Sequence, residues 1–460
     1  MRSASARFSL LSAVIAGSLL GCTSYEEDPV EPAEILRALE EIGLEGLSKE
    51  DVAPVVTSLD LSDGLSLLEA SAIAVRRNPN LLALRADVGV AEAQLIQAGL
   101  LSDPVVGWDF IAAQAGDILD KIESPAWVSG LSLTWQVPRP GEIDSKEGVA
   151  RAQVRSSAAH LAGAEWRVVR DVHIAYARLL VARARLVQIE RLAKIAQRSL
   201  AYFAKARAAG AATALEEGLA RVAADTVQVD VFMTRNAEAQ AQQTLNRLLG
   251  LPPDLQWALQ DSLDRFASPS ALSEDPKQLV RESLERRPDL QEVLADYQQA
   301  EEQVRLECAR QWPQLEIGTG FSIQIPIFSQ FNQPAIKTAL RSRAAARLRV
   351  TLAVQQTRAE IHSALVQSRQ AYAALELFER SLGPQTEETL RLTERAFQAR
   401  EVTPLEILTA QRQVLDTQSR FLTARQSWAE ARIQLDSACG RLLPSARTPL
   451  PPKTNDEESQ

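Results

Sequence analysis

The chain of 460 residues carries three cysteines, three histidines and two methionines, and their spacing decides what chemistry these side chains could do. His160, His173 and His362 fall in stretches of helical period, without cysteines or carboxylates at the short spacings that hold a metal. They read as helix-surface histidines. Cys308 and Cys439 stand at positions that look like helix packing and read as buried free thiols. No Gly-rich phosphate loop or nucleophile turn occurs, so neither catalysis nor a cofactor is expected. Cys22 is different. In "MRSASARFSLLSAVIAGSLLGCTS", Arg2 and Arg7 precede an apolar run from Phe8 to Leu20, and Leu19-Leu20-Gly21-Cys22 follows. Basic, apolar and small residues in that order before a cysteine resemble a lipoprotein export signal, in which cleavage at the cysteine leaves it as a lipidated N-terminus, the alternative being an ordinary secretory signal in which Cys22 is incidental. The run is short for a membrane helix, which needs about 20 apolar residues. The expectation is a signal peptide over 1–21, lipid on Cys22, and, with Thr23 rather than an Asp after it, delivery to the outer membrane.

Charges interrupt every later helical stretch, so any further membrane crossing falls to strands. A net charge of -9 without a basic, aromatic-rich patch argues against nucleic acid as a partner. Once the signal is removed, Met233 is the remaining methionine, and no methionine relay for soft metals is visible.

The sequence is written twice. "NPNLLALRADVGVAEAQL" around Pro79 matches "RPDLQEVLADYQQAEEQV" around Pro288, and Asp103-Pro104 matches Trp312-Pro313 at the same offset. Asp171-Val172-His173 then matches Glu360-Ile361-His362, Thr213 matches Thr403, and Gly250 matches Gly440, at an offset about twenty residues smaller. Each half reads as a helix (65–101; 276–311), a β region (104–137; 313–328), a long helix (142–208; 335–399) and a last helix (213–250; 404–442). Ser66-x-x-Glu69 forms a capping box, and Asp275-Pro276 opens the second half. Val172, Leu179, Leu186, Ala193 and Leu200 recur every seven residues, and Val354, Ile361, Leu375 and Leu382 keep that frame around a polar Ser368. A helix of some 65 residues is about 100 Å long. The fold class is mainly α with a small β part: a first repeat over 61–253 and a second over 274–444, after a linker or strap at 22–60 and before a tail at 445–460.

The β regions alternate. In "AWVSGLSLTWQV", Trp127, Leu131, Leu133, Trp135 and Val137 share one face, and Gly130, Ser132, Thr134 and Gln136 the other. The second half has only "QLEIGTGFSIQIPIF" in that place, short for two crossing strands of about 9 to 11 residues each. It reads as a tight hairpin turning near Gly318-Thr319-Gly320.

"LSLLEASAIAVRRNPNL", "QAGLLSDPVV", "LSLTWQVPRPGE", "IQIPIFSQFNQPAIKTA" and the paired ends "LNRLLG" and "LDSACG" together resemble the outer-membrane efflux protein family, TolC-like, and most nearly its CzcC-like heavy-metal branch. The resemblance covers about 60 to 444. It implies a homotrimer in which each protomer lends four strands to one outer-membrane β-barrel and four helical staves to one periplasmic tunnel. It also implies docking of the tunnel tip onto a periplasmic adaptor of an inner-membrane pump. By the same resemblance, Gly210, Thr213, Arg400 and Thr403 lie in adaptor-facing tip turns, Glu216, Glu406 and Phe397 near a periplasmic gate, and Trp108, Trp127 and Trp135 at membrane interfaces. The short second hairpin leaves a second reading open, a membrane-anchored coiled-coil scaffold without a complete pore.

Overall fold

The computed structural model describes residues 25, 27–40, 64–108, 131–263, 275–318, 321–398 and 404–442. Two units divide the chain, Met1–Gly43 and Leu44–Gln460. In the first, α1 (Pro32–Glu40) starts on a proline, whose missing N–H is an orphan in any first turn, and exposes Ile35, Leu36 and Leu39.

The second unit follows the repeat. The expected helix at 65–101 is two, α2 (Leu67–Arg77) and α3 (Pro79–Ala98). Pro79 holds Asn78 out of the helical region, at φ -57 and ψ 122. The second half breaks in the same place, between α6 (Pro276–Arg286) and α7 (Pro288–Ala309), where Arg287 sits at φ -77 and ψ 119. The Ser66–Glu69 capping box and the Asp275 cap are both formed. Between these pairs run α4 (Glu142–Ala208), 67 residues long, and α5 (Ala214–Leu249).

The helix expected at 335–399 is not continuous. It comprises α8 (Gln333–Leu377), a π segment (Phe378–Leu382) and α9 (Gly383–Gln398), and α10 (Pro404–Ala438) follows. Pro384 has no N–H to give to the fourth carbonyl back, and the Gly383 N–H reaches five residues back to the Phe378 carbonyl. The matching helix α4 has no such break.

Helix α4 packs on α3 and α5 and also on α7 and α10, while α8 packs on α7 and α10 and α9 on α10. Val172, Leu179 and Ala193 of the heptad frame are buried, as are Ile361 and Leu375. Ser368, the polar member of that frame, is buried because its hydroxyl donates to the Ala431 carbonyl of α10 at 3.0 Å. A compact cluster of Leu279, Ile361, Leu365, Leu435 and Cys439 fastens α6 onto α8 and α10.

Four antiparallel strands complete the unit in the order β1 (Val105–Trp108), β2 (Leu131–Val137), β3 (Gln314–Gly318) and β4 (Phe321–Gln324). The two halves therefore share one sheet, with β2 of the first paired to β3 of the second. Gly318 is required there: a Cβ would lie 1.7 Å from the Leu133 carbonyl oxygen. β3 ends at Gly318 and β4 begins at Phe321, paired antiparallel as the hairpin reading expects, and they are only 5 and 4 residues long. Beyond β4 the chain turns through Gln330, Phe331 and Asn332, all in the left-handed region at φ 52, 53 and 60. Side chains rarely adopt that conformation, and three in succession is unusual.

Candidate functional site

The sheet has two chemically distinct faces. Pairing sets Val106 against Leu133, Trp135 against Ile317, Val137 against Leu315, and Ile317 and Leu315 against Phe321 and Ile323. The opposite face pairs Gln136 with Glu316 and Glu316 with Ser322. There Gln136 Nε2 donates to Glu316 Oε1 at 3.2 Å and Ser322 Oγ to Glu316 Oε2 at 2.8 Å, a connected polar ladder. Val106, Leu133, Ile317, Phe321 and Ile323 of the apolar face are exposed. A sheet with one bare apolar face and one hydrogen-bonded polar face suits a wall between lipid and water. Trp135 belongs to the apolar face, and its indole N–H donates to the Ser102 carbonyl at 2.9 Å. The backbone of Trp108 pairs with Leu131 at the far end of β1. Trp127, like Cys22, lies outside the described residues.

The turn between α4 and α5 closes on Gly210. Gly210 is left-handed at φ 71, its N–H donates to the Arg207 carbonyl, and the Ala211 N–H donates to the Ala206 carbonyl, which together close α4 in a Schellman turn. Thr213 then opens α5. Its N–H donates to Glu216 Oε2 at 2.7 Å, and its Oγ1 accepts from the Glu216 N–H at 3.2 Å. The Thr213 backbone N–H and hydroxyl hold the Glu216 carboxyl below the usual carboxylate range. Glu216 is thus a capping residue of α5.

The neighbouring Glu217 was not singled out in the sequence. It is buried, and it accepts from Arg207 Nη1 at 2.6 Å and from Arg221 Nη2 at 3.0 Å, so it ties the end of α4 to the start of α5. The Arg207 hydrogen bond foremost lowers its pKa. Glu217 and Arg221 stand four apart on a helix, which was a readable signal; the Arg207 contact across the turn was not.

At the second tip, Arg400 and Thr403 and the side chain of Phe397 lie outside the described residues. Glu406 is exposed in the first turn of α10 and lines a groove of about 590 Å³ with Leu382, Thr386, Thr389 and Gln413. The structure therefore brings Gly210, Thr213 and Glu216 together in one turn and places Glu406 on a separate helix.

Two charged clusters went unread. His160 Nδ1 lies 2.5 Å from Glu292 Oε1 and its Nε2 3.1 Å from Asp296 Oδ1, so this histidine, still 41% exposed on the helix surface, also ties α4 to α7. At the waist, Arg287 is 3% exposed. Its Nε donates to Asp289 at 2.9 Å and its Nη1 to Glu360 at 2.7 Å and to the Ala438 carbonyl at 3.3 Å, while the guanidinium lies 5.3 Å from the Trp166 ring centre. Burial works against this charge, but the Asp289 and Glu360 carboxylates overcome it and raise the pKa above the usual arginine value. Beside it opens a hollow of about 810 Å³, lined by Arg167, Arg170 and Arg287 and by Asp171, Asp289 and Glu360. Arg170 bonds Asp171 and Arg287 bonds Asp289, so the lining is charge-balanced. Among the described residues, no group of three or more His, Cys, Asp or Glu side chains could hold a metal ion.

The family model described as outer membrane efflux protein matches residues 71–251 and 318–441. The cobalt-zinc-cadmium resistance protein CzcC of Cupriavidus metallidurans is 22% identical over 395 residues, which cover 82% of this chain and 90% of CzcC. Among solved structures, the outer-membrane channel OprN aligns with a TM-score of 0.65 at 15% identity, over 81% of this chain and 89% of its own. CusC gives a TM-score of 0.63 at 18% identity, over 85% and 96%. The open-state MtrE outer membrane channel of Neisseria gonorrhoeae gives 0.64 at 18% identity, over 91% and 97%.

Proposed function

The chain belongs to the outer membrane efflux protein family, and on that premise we propose that three copies form the exit duct of a tripartite efflux or export system. Its barrel crosses the outer membrane, its helical tunnel enters the periplasm, and its tip docks on an adaptor. The inner-membrane pump supplies the energy.

The observation that carries this reading is that both layers of the protomer end in open margins. In the sheet, β1 and β4 are outermost, and each has one unpaired edge among the described residues. In the helical layer, Leu215, Leu219, Val222, Val229 and Met233 of α5 are exposed at coiled-coil spacing. Leu348, Leu352, Val366 and Leu377 of α8 are exposed likewise. Such margins differ from each other, so they join head to tail and close when the rotation allows. A closed ring pairs the strand edges and covers the apolar seams together.

Lipid on Cys22 would hold the assembly at the outer membrane, and the turns at Gly210–Thr213 and 400–403 would face the adaptor. The test is single-channel conductance of the full-length protein reconstituted in planar bilayers. Discrete, long-lived openings are expected, and a protein that inserts as trimers but never conducts overturns the duct.

A further inference from the structure

We propose that the segment leaving the second hairpin, Ile325 to Phe331, is a membrane-seated apolar wedge that gives the short hairpin the lipid contact its strands cannot supply. The inference rests on the outer-membrane duct reading above.

Three observations carry it. The apolar face of the sheet does not stop at the last strand pair, Gln314↔Gln324. Beyond it Ile325, Ile327, Phe328 and Phe331 are all exposed, Phe328 completely, and Trp312, in the bend two residues before β3, is exposed too. Five large apolar side chains are thus exposed in one short reach beside the sheet, the kind of density that marks a lipid or partner surface.

The backbone is held in place at some cost. Gln330, Phe331 and Asn332 take the left-handed conformation that glycine adopts freely. The turn is nevertheless fixed: the Phe331 N–H donates to the Pro326 carbonyl at 2.9 Å, and Asn332 Nδ2 donates to the Glu307 carbonyl at 2.8 Å and to Glu307 Oε2 at 2.9 Å. Strain that the surroundings stabilise this way points to a use for the geometry, here the outward presentation of Phe328.

The two halves also differ where the difference is informative. The equivalent exit from β2, Pro138-Arg139-Pro140-Gly141, is polar, and its Arg139 pairs with Glu142. The longer first hairpin leaves the sheet in polar sequence, and the stubby second one leaves in isoleucine and phenylalanine. An aromatic and branched-aliphatic wedge sits well at the boundary between headgroups and acyl chains, where ring and methyl groups are dehydrated without a full crossing. The occupant is therefore the bilayer, contacted from its periplasmic side.

The test is site-directed spin labelling of the full-length protein in vesicles of phosphatidylethanolamine and phosphatidylglycerol, with Cys308 and Cys439 replaced by serine. Labels are placed singly by Phe328→Cys, Leu133→Cys and Pro140→Cys, and their relaxation by oxygen is compared with that by a water-soluble nickel chelate. Oxygen should dominate several-fold at 328 and 133, and the nickel chelate at 140. Lipid exposure at 133 with water exposure at 328 overturns the wedge alone. Protection of 328 from both reagents overturns it in favour of contact with a second copy of the chain. Water exposure at both 133 and 328 overturns the membrane barrel and the wedge with it.

Discussion

Replacing Gly318 with alanine should destabilise the protein, whereas the same replacement at Gly218 should stabilise it. At 318 the added methyl would lie 1.7 Å from the Leu133 carbonyl oxygen and 2.7 Å from its carbon, both backbone atoms that no rotamer change can move. The strands must part by roughly 1 Å or more, which stretches nearby N–H···O contacts past about 3.2 Å. That end of the ladder holds the pairs Thr134↔Gly318 and Trp135↔Ile317. Losing about two hydrogen bonds, each worth about 1 kcal/mol net, and part of one aromatic–aliphatic pair worth up to about 1 kcal/mol gives a cost of about 2–3 kcal/mol in water. In lipid the cost is larger, because each unsatisfied backbone group there costs several kcal/mol. Around Gly218, inside α5, nothing beyond the helix's own backbone lies within 4 Å of where a methyl would sit, so alanine adds only helix propensity, about 0.5–1 kcal/mol in its favour. The assay is thermal unfolding of purified protein in detergent, followed by circular dichroism, with conductance of the same preparations. Shifts of opposite sign are expected, with fewer open channels for Gly318→Ala. If both variants unfold at the wild-type temperature, the β2–β3 pairing described above is wrong.

Arg287→Met should cost about 2–3 kcal/mol, the range for breaking a buried pair reduced because the Glu360 side chain is 55% exposed and can return to water; denaturant unfolding checks this, and Arg287→Lys should recover less than half, since one ammonium cannot span both carboxylates. Because Arg207 depresses the Glu217 pKa, the clamp it forms is fully present above the ordinary carboxylate range and is lost as pH falls through and below it. The protection factor across residues 207–221, exchange relative to the intrinsic rate at each pH, should fall on acidification in wild type, and in Glu217→Gln should already be low at neutral pH and change little with acid. Glu216→Gln together with Glu406→Gln should alter cation selectivity at low salt, where carboxylate fields reach furthest, and conductance identical to wild type at every salt concentration would remove both from any gate. Cys22→Ser should abolish incorporation of a labelled fatty acid, and a wild-type protein that takes up no label refutes the anchor.

Local signals in the sequence were dependable where a residue acts within its own turn. Ser66–Glu69 marked the opening of α2, Asp275–Pro276 the opening of α6 and Gly318–Gly320 the hairpin, whereas Pro79 and Pro288 stood inside helices read as continuous that in fact restart at each proline. The duplication supplied the order of elements without any contact being known. What could not be read depends on residues far apart in the chain. The Arg287 clamp joins Asp289, Glu360, Ala438 and Trp166 from four elements, and neither periodicity nor spacing reveals a meeting of that kind. His160 shows the same limit, its partners lying 132 and 136 residues away. The π segment is a different case: Gly383-Pro384 stood in plain view, but heptad periodicity continued through Leu382, and hydrophobic pattern does not register which carbonyl a backbone N–H reaches. Glu216 could be read both as a cap and as a gate because one carboxylate near a helix start satisfies either pattern.

The unpaired margins of the protomer have a consequence for how the protein is made. A chain that leaves strand edges and leucine seams uncovered is most hazardous before it finds its neighbours, when edge-to-edge association with any other strand competes with correct closure. The same head-to-tail joint that closes at one angle extends without end at another, so small errors in its angle produce fibres rather than rings. The apparent stability of the folded chain must then rise with its own concentration. For the proposed trimer, the dilute stage before the copies meet is therefore the one most exposed to misassociation.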